Sequence, residues 1–209
     1  MDIKTILISG IQGKLGSVIH QRLASTYHII GHRRQDTLNT LIHETKPCLI
    51  IDVSSAQCIH QHMRVYHQHQ IPTLIGASGL SPDEAMQHTK MATFPLLIVP
   101  NFSLSFHAFL NQAIILNKQF PSCQIIETHH QSKVDQPSAT SLYIAKALNN
   151  PPIISKRIST YTAQHDIIFS SGHDTISISH QLSSHQAFIP GVLKSIKTLE
   201  HLNGGQIWL

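Results

Sequence analysis

The stretch Ile3-Lys4-Thr5-Ile6-Leu7-Ile8-Ser9-Gly10-Ile11-Gln12-Gly13-Lys14-Leu15-Gly16 sets a short apolar run against a glycine-rich turn. A run without polar alternation is what a strand buried on both faces leaves, as in a parallel sheet. The glycines follow as G-x-x-G-x-x-G and open a predicted helix from Lys14 to Ala24. Such glycines permit a tight turn and let the backbone approach a pyrophosphate at the helix N-terminus. Gly10, Ile11, Gln12, Gly13, Lys14, Leu15 and Gly16 form the candidate dinucleotide cradle.

Outward from that turn, strands and helices alternate. Tyr27–Gly31 reads as the second strand and runs into His32-Arg33-Arg34. A site for NADH would usually place an acid there for the adenine-ribose hydroxyls, but none occurs before Asp36. Arg33 and Arg34 suit a 2′-phosphate instead, so NADPH is the preferred cofactor and NADH a possible one. Residues 36–44 read as a helix, 48–52 as a strand, 57–69 as a helix and 72–75 as a strand. Ser81-Pro82-Asp83-Glu84 is a capping box that starts a helix to Lys90, and 96–99 is the fifth strand. This order describes a doubly wound parallel sheet. His60, His62, His67 and His69 have no carboxylate or cysteine at a ligating offset, so they read as a wet helical face, and no metal site is expected.

The second half has a different texture. An amphipathic helix, 106–118, precedes an apolar strand, 123–126, a helix, 140–149, and β-rich runs at 153–161, 166–170 and 175–180. A last helix is read at 187–201. The alternation of Thr175-Ile176-Ser177-Ile178-Ser179-His180 implies a sheet with one covered face and one that is wet or in an interface. The boundaries expected are 1–104 with 186–209 for a Rossmann-type dinucleotide-binding domain, and 105–185 for an α+β domain.

Composition limits the partners. The 209 residues suffice for one large domain or two small ones, and 41% apolar content is ordinary for a globular chain. A net charge of +4 with no basic run longer than Arg33-Arg34 argues against a nucleic-acid surface. Cys48, Cys58 and Cys123 never form Cys-x-x-Cys and read as reduced, mostly buried thiols of a cytoplasmic protein. With no secretory pattern and no apolar run near the roughly 18 residues a span needs, no membrane association is expected.

Chemistry concentrates in Glu127-Thr128-His129-His130-Gln131-Ser132-Lys133-Val134-Asp135-Gln136-Pro137-Ser138-Ala139-Thr140. Lys133 offers a point charge with three donors, and Ser138 reads as the N-cap of a helix whose free N–H groups face an anion. Either histidine can carry a proton near neutral pH. The segment is suited to a small dianion.

The run Glu-x-His-His-x-x-Lys-x-Asp-x-Pro-Ser-x-Thr resembles the signature of the dihydrodipicolinate reductase family of lysine biosynthesis. The resemblance extends to the glycine turn, to Asp52-Val53-Ser54-Ser55 along the cofactor, and to Gly76-Ala77-Ser78-Gly79 at the nicotinamide end. It also takes in the hinge Pro100-Asn101-Phe102-Ser103-Leu104-Ser105, the C-terminal Gly205-Gln206-Ile207-Trp208, and Arg157, His165 and His180. It implies a Rossmann domain with a substrate-binding and oligomerisation domain, commonly a homotetramer, and an enzyme that reduces a small dicarboxylate heterocycle with NAD(P)H. His129 would be the general acid and Lys133 its partner at the imine nitrogen. His130, Lys133, Ser138, Ala139 and Thr140 would hold the substrate. Ser54, Gly76, Ala77, Ser78, Pro100, Asn101 and Phe102 would join the glycine turn and the arginines around the cofactor.

The sequence departs from the family at Ala139, Ser105 and His185, and at Ile158-Ser159, where glycine, glycine, arginine and a glycine pair are usual. Two other readings stay open: a Rossmann oxidoreductase for another cyclic imine or keto acid, and a non-catalytic nucleotide-sensing relative.

Overall fold

In chain order, a computed structural model, which describes residues 4–76, 79–159 and 163–208, begins with β1 (Thr5–Ser9), α1 (Lys14–Leu23), β2 (His28–His32), α2 (Leu38–Thr45) and β3 (Leu49–Asp52). It continues with α3 (Ala56–His69), β4 (Thr73–Ile75), α4 (Pro82–Met91), β5 (Leu96–Ile98), α5 (Leu104–Asn117) and β6 (Ser122–His130). Then come α6 (Ala139–Ala147), β7 (Ile153–Ile158), β8 (Ala163–Ser170), β9 (Thr175–Leu182), a 3-10 turn (His185–Phe188), α7 (Ile189–Leu199) and β10 (Gly205–Ile207). Two compact units result, Met1–Phe102 with Phe188–Leu209, and Ser103–Ala187.

The first unit is a parallel sheet in the order β10-β5-β4-β3-β1-β2. Because strand residues alternate faces, Ile6 and Ile8 join α1 and α7 through Ile19, Leu23, Val192 and Ile196. Leu7 turns the other way, with Ile50 and Ile98, onto Ile42 of α2 and Ile59, Met63 and Tyr66 of α3. Apolar side chains cover both faces, which is the physical content of double winding. The capping box forms: the Ser81 hydroxyl accepts the Glu84 N–H at 3.2 Å and Glu84 accepts the Ser81 N–H at 2.8 Å.

The second unit is a mixed sheet, β7-β6-β8-β9, with β7 parallel and the other pairs antiparallel. Phe106, Phe109 and Leu110 of α5 and Ile144 and Leu148 of α6 pack on Ile125, Ile167 and Phe169. Residues on the opposite face, such as Ile154 and Ile158, are exposed.

Several expectations are corrected. The strand read at 123–126 runs on to His130, because β7 and β8 pair with it along that length. The helix read at 187–201 starts as a 3-10 turn, and its α-helical part begins at Ile189 with Pro190 in the first turn, where its missing N–H costs nothing. Residues 205–207 form a sixth strand beside β5. The cysteines are free but not mostly buried: Cys48 is exposed and the other two are half-buried. His62 leaves the wet face assigned to it and is buried, for a reason given by Asp52 below. No described helix is long and apolar enough to cross a membrane.

Candidate active site

The glycine turn closes as its spacing requires. Gly10 has φ +82°, and a Cβ there would lie 2.7 Å from the Val53 carbonyl oxygen. At Gly16 a Cβ would lie 2.1 Å from the Gly10 oxygen, so α1 sits against the turn only because both are glycine. Gly13 is the N-cap of α1, which has no side-chain cap. Gln12, Gly13 and Lys14 are exposed, whereas Ile11 and Leu15 are half-buried against the apolar core. A helix start with no capping side chain behind a bare glycine fits a pyrophosphate.

Arg33 and Arg34 are exposed after β2. Asp36, the first acid beyond them, accepts the Arg33 N–H at 2.8 Å and is committed to closing that turn. Ser54 is held by its N–H to Asp52 Oδ1 at 2.8 Å. Asp52 is fully buried and also takes His62 Nδ1 at 2.8 Å and the Tyr66 hydroxyl at 2.7 Å, which draws His62 inward. Gly76 lies at the end of β4 against the Phe102 ring. Phe102 is a core residue, Asn101 is half-buried and Pro100 exposed, while Ala77 and Ser78 fall outside the described residues.

In the second unit, alternation along β6 sends Ile125, Glu127 and His129 to the covered face. His130 turns the other way, where its Nδ1 accepts the Ser132 N–H at 3.2 Å. His129 therefore stands on a strand rather than a loop, and is grouped with Glu127 instead of His130. Its Nδ1 lies 3.0 Å from Glu127 Oε2, yet out of line for a hydrogen bond, and makes no hydrogen bond among the described residues. Burial lowers its pKa; the Glu127 charge opposes that, and Lys133 and Arg157 add to it.

Glu127 is fully buried. Its Oε2 accepts the Ser138 N–H at 3.1 Å and the Ser141 hydroxyl at 3.1 Å, and its Oε1 accepts from Arg157 at 3.0 Å. Burial pushes this carboxyl up, but the bonds from Ser138, Ser155 and Arg157 outweigh it and hold the pKa down to about 2. His165 faces His129 edge-on at 5.3 Å, and burial, with His129 beside it, drives it down to about 4. Ligand-capable atoms of Glu127, His129 and His165 lie within 4.8 Å of one another. The carboxylate already carries several donors and has a guanidinium beside it, which opposes a cation there.

Lys133 is half-buried and paired with Asp135 at 2.9 Å. Ser138 caps α6, its hydroxyl accepting the Ser141 N–H at 3.2 Å. Because the Ser138 N–H is spent on Glu127, the expectation that it faces the substrate is corrected. Ala139 and Thr140 open the helix. Ala139 has no positive φ, so alanine in place of glycine costs no backbone strain. Ser105, another departure, bonds His180 Nε2 at 3.0 Å.

A family model described as dihydrodipicolinate reductase, C-terminus, matches residues 103–207. The chain belongs to the dihydrodipicolinate reductase family. It is 28% identical to the 4-hydroxy-tetrahydrodipicolinate reductase of Legionella pneumophila, over 95% of this chain and 94% of that protein. With that of Dehalococcoides mccartyi it shares 27%, over 80% and 74%. A dipicolinate-bound dihydrodipicolinate reductase from Paenisporosarcina sp. TG-14 has the same fold, with TM-score 0.78 at 20% identity over 99% of this chain and 98% of that one. Around the Glu127–Thr140 run, Glu127, Arg157, His165 and Ser141 form the supporting network that sequence reading left without roles. Only the pairing of β6 with β7 and β8, across about thirty residues or more of chain, could have revealed it.

Proposed function

We infer that this chain is a nicotinamide-dependent reductase acting on 4-hydroxy-tetrahydrodipicolinate, or a dicarboxylate heterocycle close to it, in the diaminopimelate–lysine route. The observation that carries this reading is His129: a buried imidazole whose Nδ1 faces the Glu127 carboxylate at 3.0 Å, on the strand that leads into Lys133 and the start of α6. When bound, the reduced nicotinamide supplies the hydride. The Gly10–Gly16 turn holds its pyrophosphate, Arg33 and Arg34 favour NADPH through the 2′-phosphate, and Ser54, Gly76 and Asn101 line its course.

Lys133 and the Thr140 N–H bind substrate carboxylate, joined by the Ala139 N–H once Asp135 releases it, and His130 assists by turning from Ser132. His129 gives the proton that completes the reduction. Without substrate its pKa is lowered, so it is mostly neutral at pH 7. A dianion docking beside it stabilises the imidazolium, which loads the acid only when there is something to protonate. The open face of the second sheet is the surface for homotetramer assembly, and free cysteines suit a cytoplasmic setting.

The test is NADPH absorbance on adding freshly generated substrate. Steady oxidation is expected. NADPH binding without turnover would instead favour the nucleotide-sensing reading. Replacing both Arg33 and Arg34 by Ala should cut the NADPH-over-NADH affinity ratio about tenfold; an unchanged ratio removes the 2′-phosphate assignment.

A further inference from the structure

Arg157 is bonded in three directions. Its Nε donates to the Lys133 carbonyl at 3.2 Å, one terminal nitrogen donates to the Asp135 carbonyl at 2.6 Å, and the other reaches Glu127 Oε1 at 3.0 Å and the Lys156 carbonyl at 2.9 Å. Glu127, in turn, holds the first turn of α6 through the Ser138 N–H and the Ser141 hydroxyl. The segment between β6 and α6 carries Lys133 and has few apolar anchors of its own, Val134 being 95% exposed. One buried ion pair thus fastens both ends of that segment to the sheet.

We propose that Glu127 and Arg157 are positioning residues that set Lys133, the α6 N-terminus and His129 in register for a dicarboxylate. The proposal rests on the reductase reading for its ligand class, but its geometry does not. Arg157 is the register partner of His129 on the parallel strand, and Glu127 stands two residues before it on the same face. A guanidinium suits this task because its fork meets carbonyl and carboxylate acceptors in one plane; an ammonium offers no such fork. Groups facing His129 are Glu127 on its own strand, Arg157 on β7, His165 on β8, and Lys133 and Asp135 on the loop. Removing the anion or the cation of the pair must therefore move the His129 titration in opposite directions.

Two readouts need no turnover: the His129 ring-proton titration by NMR, and dipicolinate affinity by calorimetry on the full chain. Glu127→Gln should lower the His129 midpoint and Arg157→Gln should raise it, each by about one pH unit. Arg157→Lys keeps the charge and loses the fork; it should leave the midpoint near that of the parent yet weaken dipicolinate about tenfold. The ring-proton resonances of His165 and His180, which lie in the same unit, report that the variants are folded. Shifts of the same sign, or full dipicolinate affinity in Arg157→Lys, would overturn the proposal. If the parent chain binds dipicolinate but fails to oxidise NADPH, the reductase reading fails while the positioning result stands.

Discussion

Among the described residues, two carboxylates are buried beside histidines, and they are finished differently. Asp52 takes an aligned bond from His62 at 2.8 Å and another from Tyr66 at 2.7 Å, and burial pushing its pKa up is outweighed so that it stays lowered. Glu127 takes its bonds from Ser138, Ser141 and Arg157, while His129 Nδ1 stands at 3.0 Å without alignment. A histidine whose bond is made is part of the framework. One held slightly farther off, at 3.0 Å against 2.8 Å, and out of line is less firmly tied to the framework, at the expense of stability.

This contrast is most exposed to test by one exchange made at both places. His129→Gln should lower kcat by roughly 10²- to 10³-fold while thermal stability stays level or rises. His62→Gln should instead destabilise the chain by about 2 kcal/mol, because it breaks a bond to a buried charge. Stopped-flow reduction and thermal melts decide it. Equal destabilisation by the two variants would erase the distinction.

Next in size is the acid sensitivity of the second unit. The His165 pKa falls from 6.5 to about 4 on folding, so below pH 6.5 the unfolded chain binds a proton that the native chain refuses. Stability is then lost as pH falls, by about 3 kcal/mol once pH reaches the native value. The Glu127 contribution has the same sign and a lower window: it is complete above 4.5 and lost as pH falls to about 2. Urea unfolding from about pH 7 to about pH 4 should show this slope, and His165→Gln should flatten it.

Local order was legible where chemistry is local. The apolar run, the Gly10–Gly16 turn and the Ser81–Glu84 box act within one or two turns of chain, and each appears where its pattern puts it. The burial of His62 escapes the helical pattern because its partner, Asp52, is on β3; a period of 3.6 separates wet from dry faces only when no buried acid waits beneath. His129 stands out in the sequence by its residue type, but the apolar pattern ends the strand beneath it at Ile126, four residues short of its end at His130. The polar run Glu127–His130 lacks the apolar signature that burial normally needs, and a carboxylate matched with donors substitutes for it. Arg157 could be aligned by resemblance, yet its grip on the Lys133 and Asp135 carbonyls exists only once β7 lies parallel to β6.

The smallest effect sharpens the comparison most. Each carboxylate accepts a side-chain hydroxyl that can be deleted with little change of shape, from Tyr66 at Asp52 and from Ser141 at Glu127. Both sites are fully buried, but Asp52 would keep only His62 and Ser54, with no arginine on it. Glu127 would keep Arg157, Ser155 and the Ser138 N–H. A guanidinium within 3.0 Å offsets the loss of a neutral donor better than an imidazole and an amide do. Tyr66→Phe should therefore cost about 2 kcal/mol and Ser141→Ala about 1 kcal/mol, read from urea midpoints at unchanged slope. Were the order reversed, Glu127 would be the carboxylate that depends on every bond, and Arg157 would be contributing less to it than its distance implies.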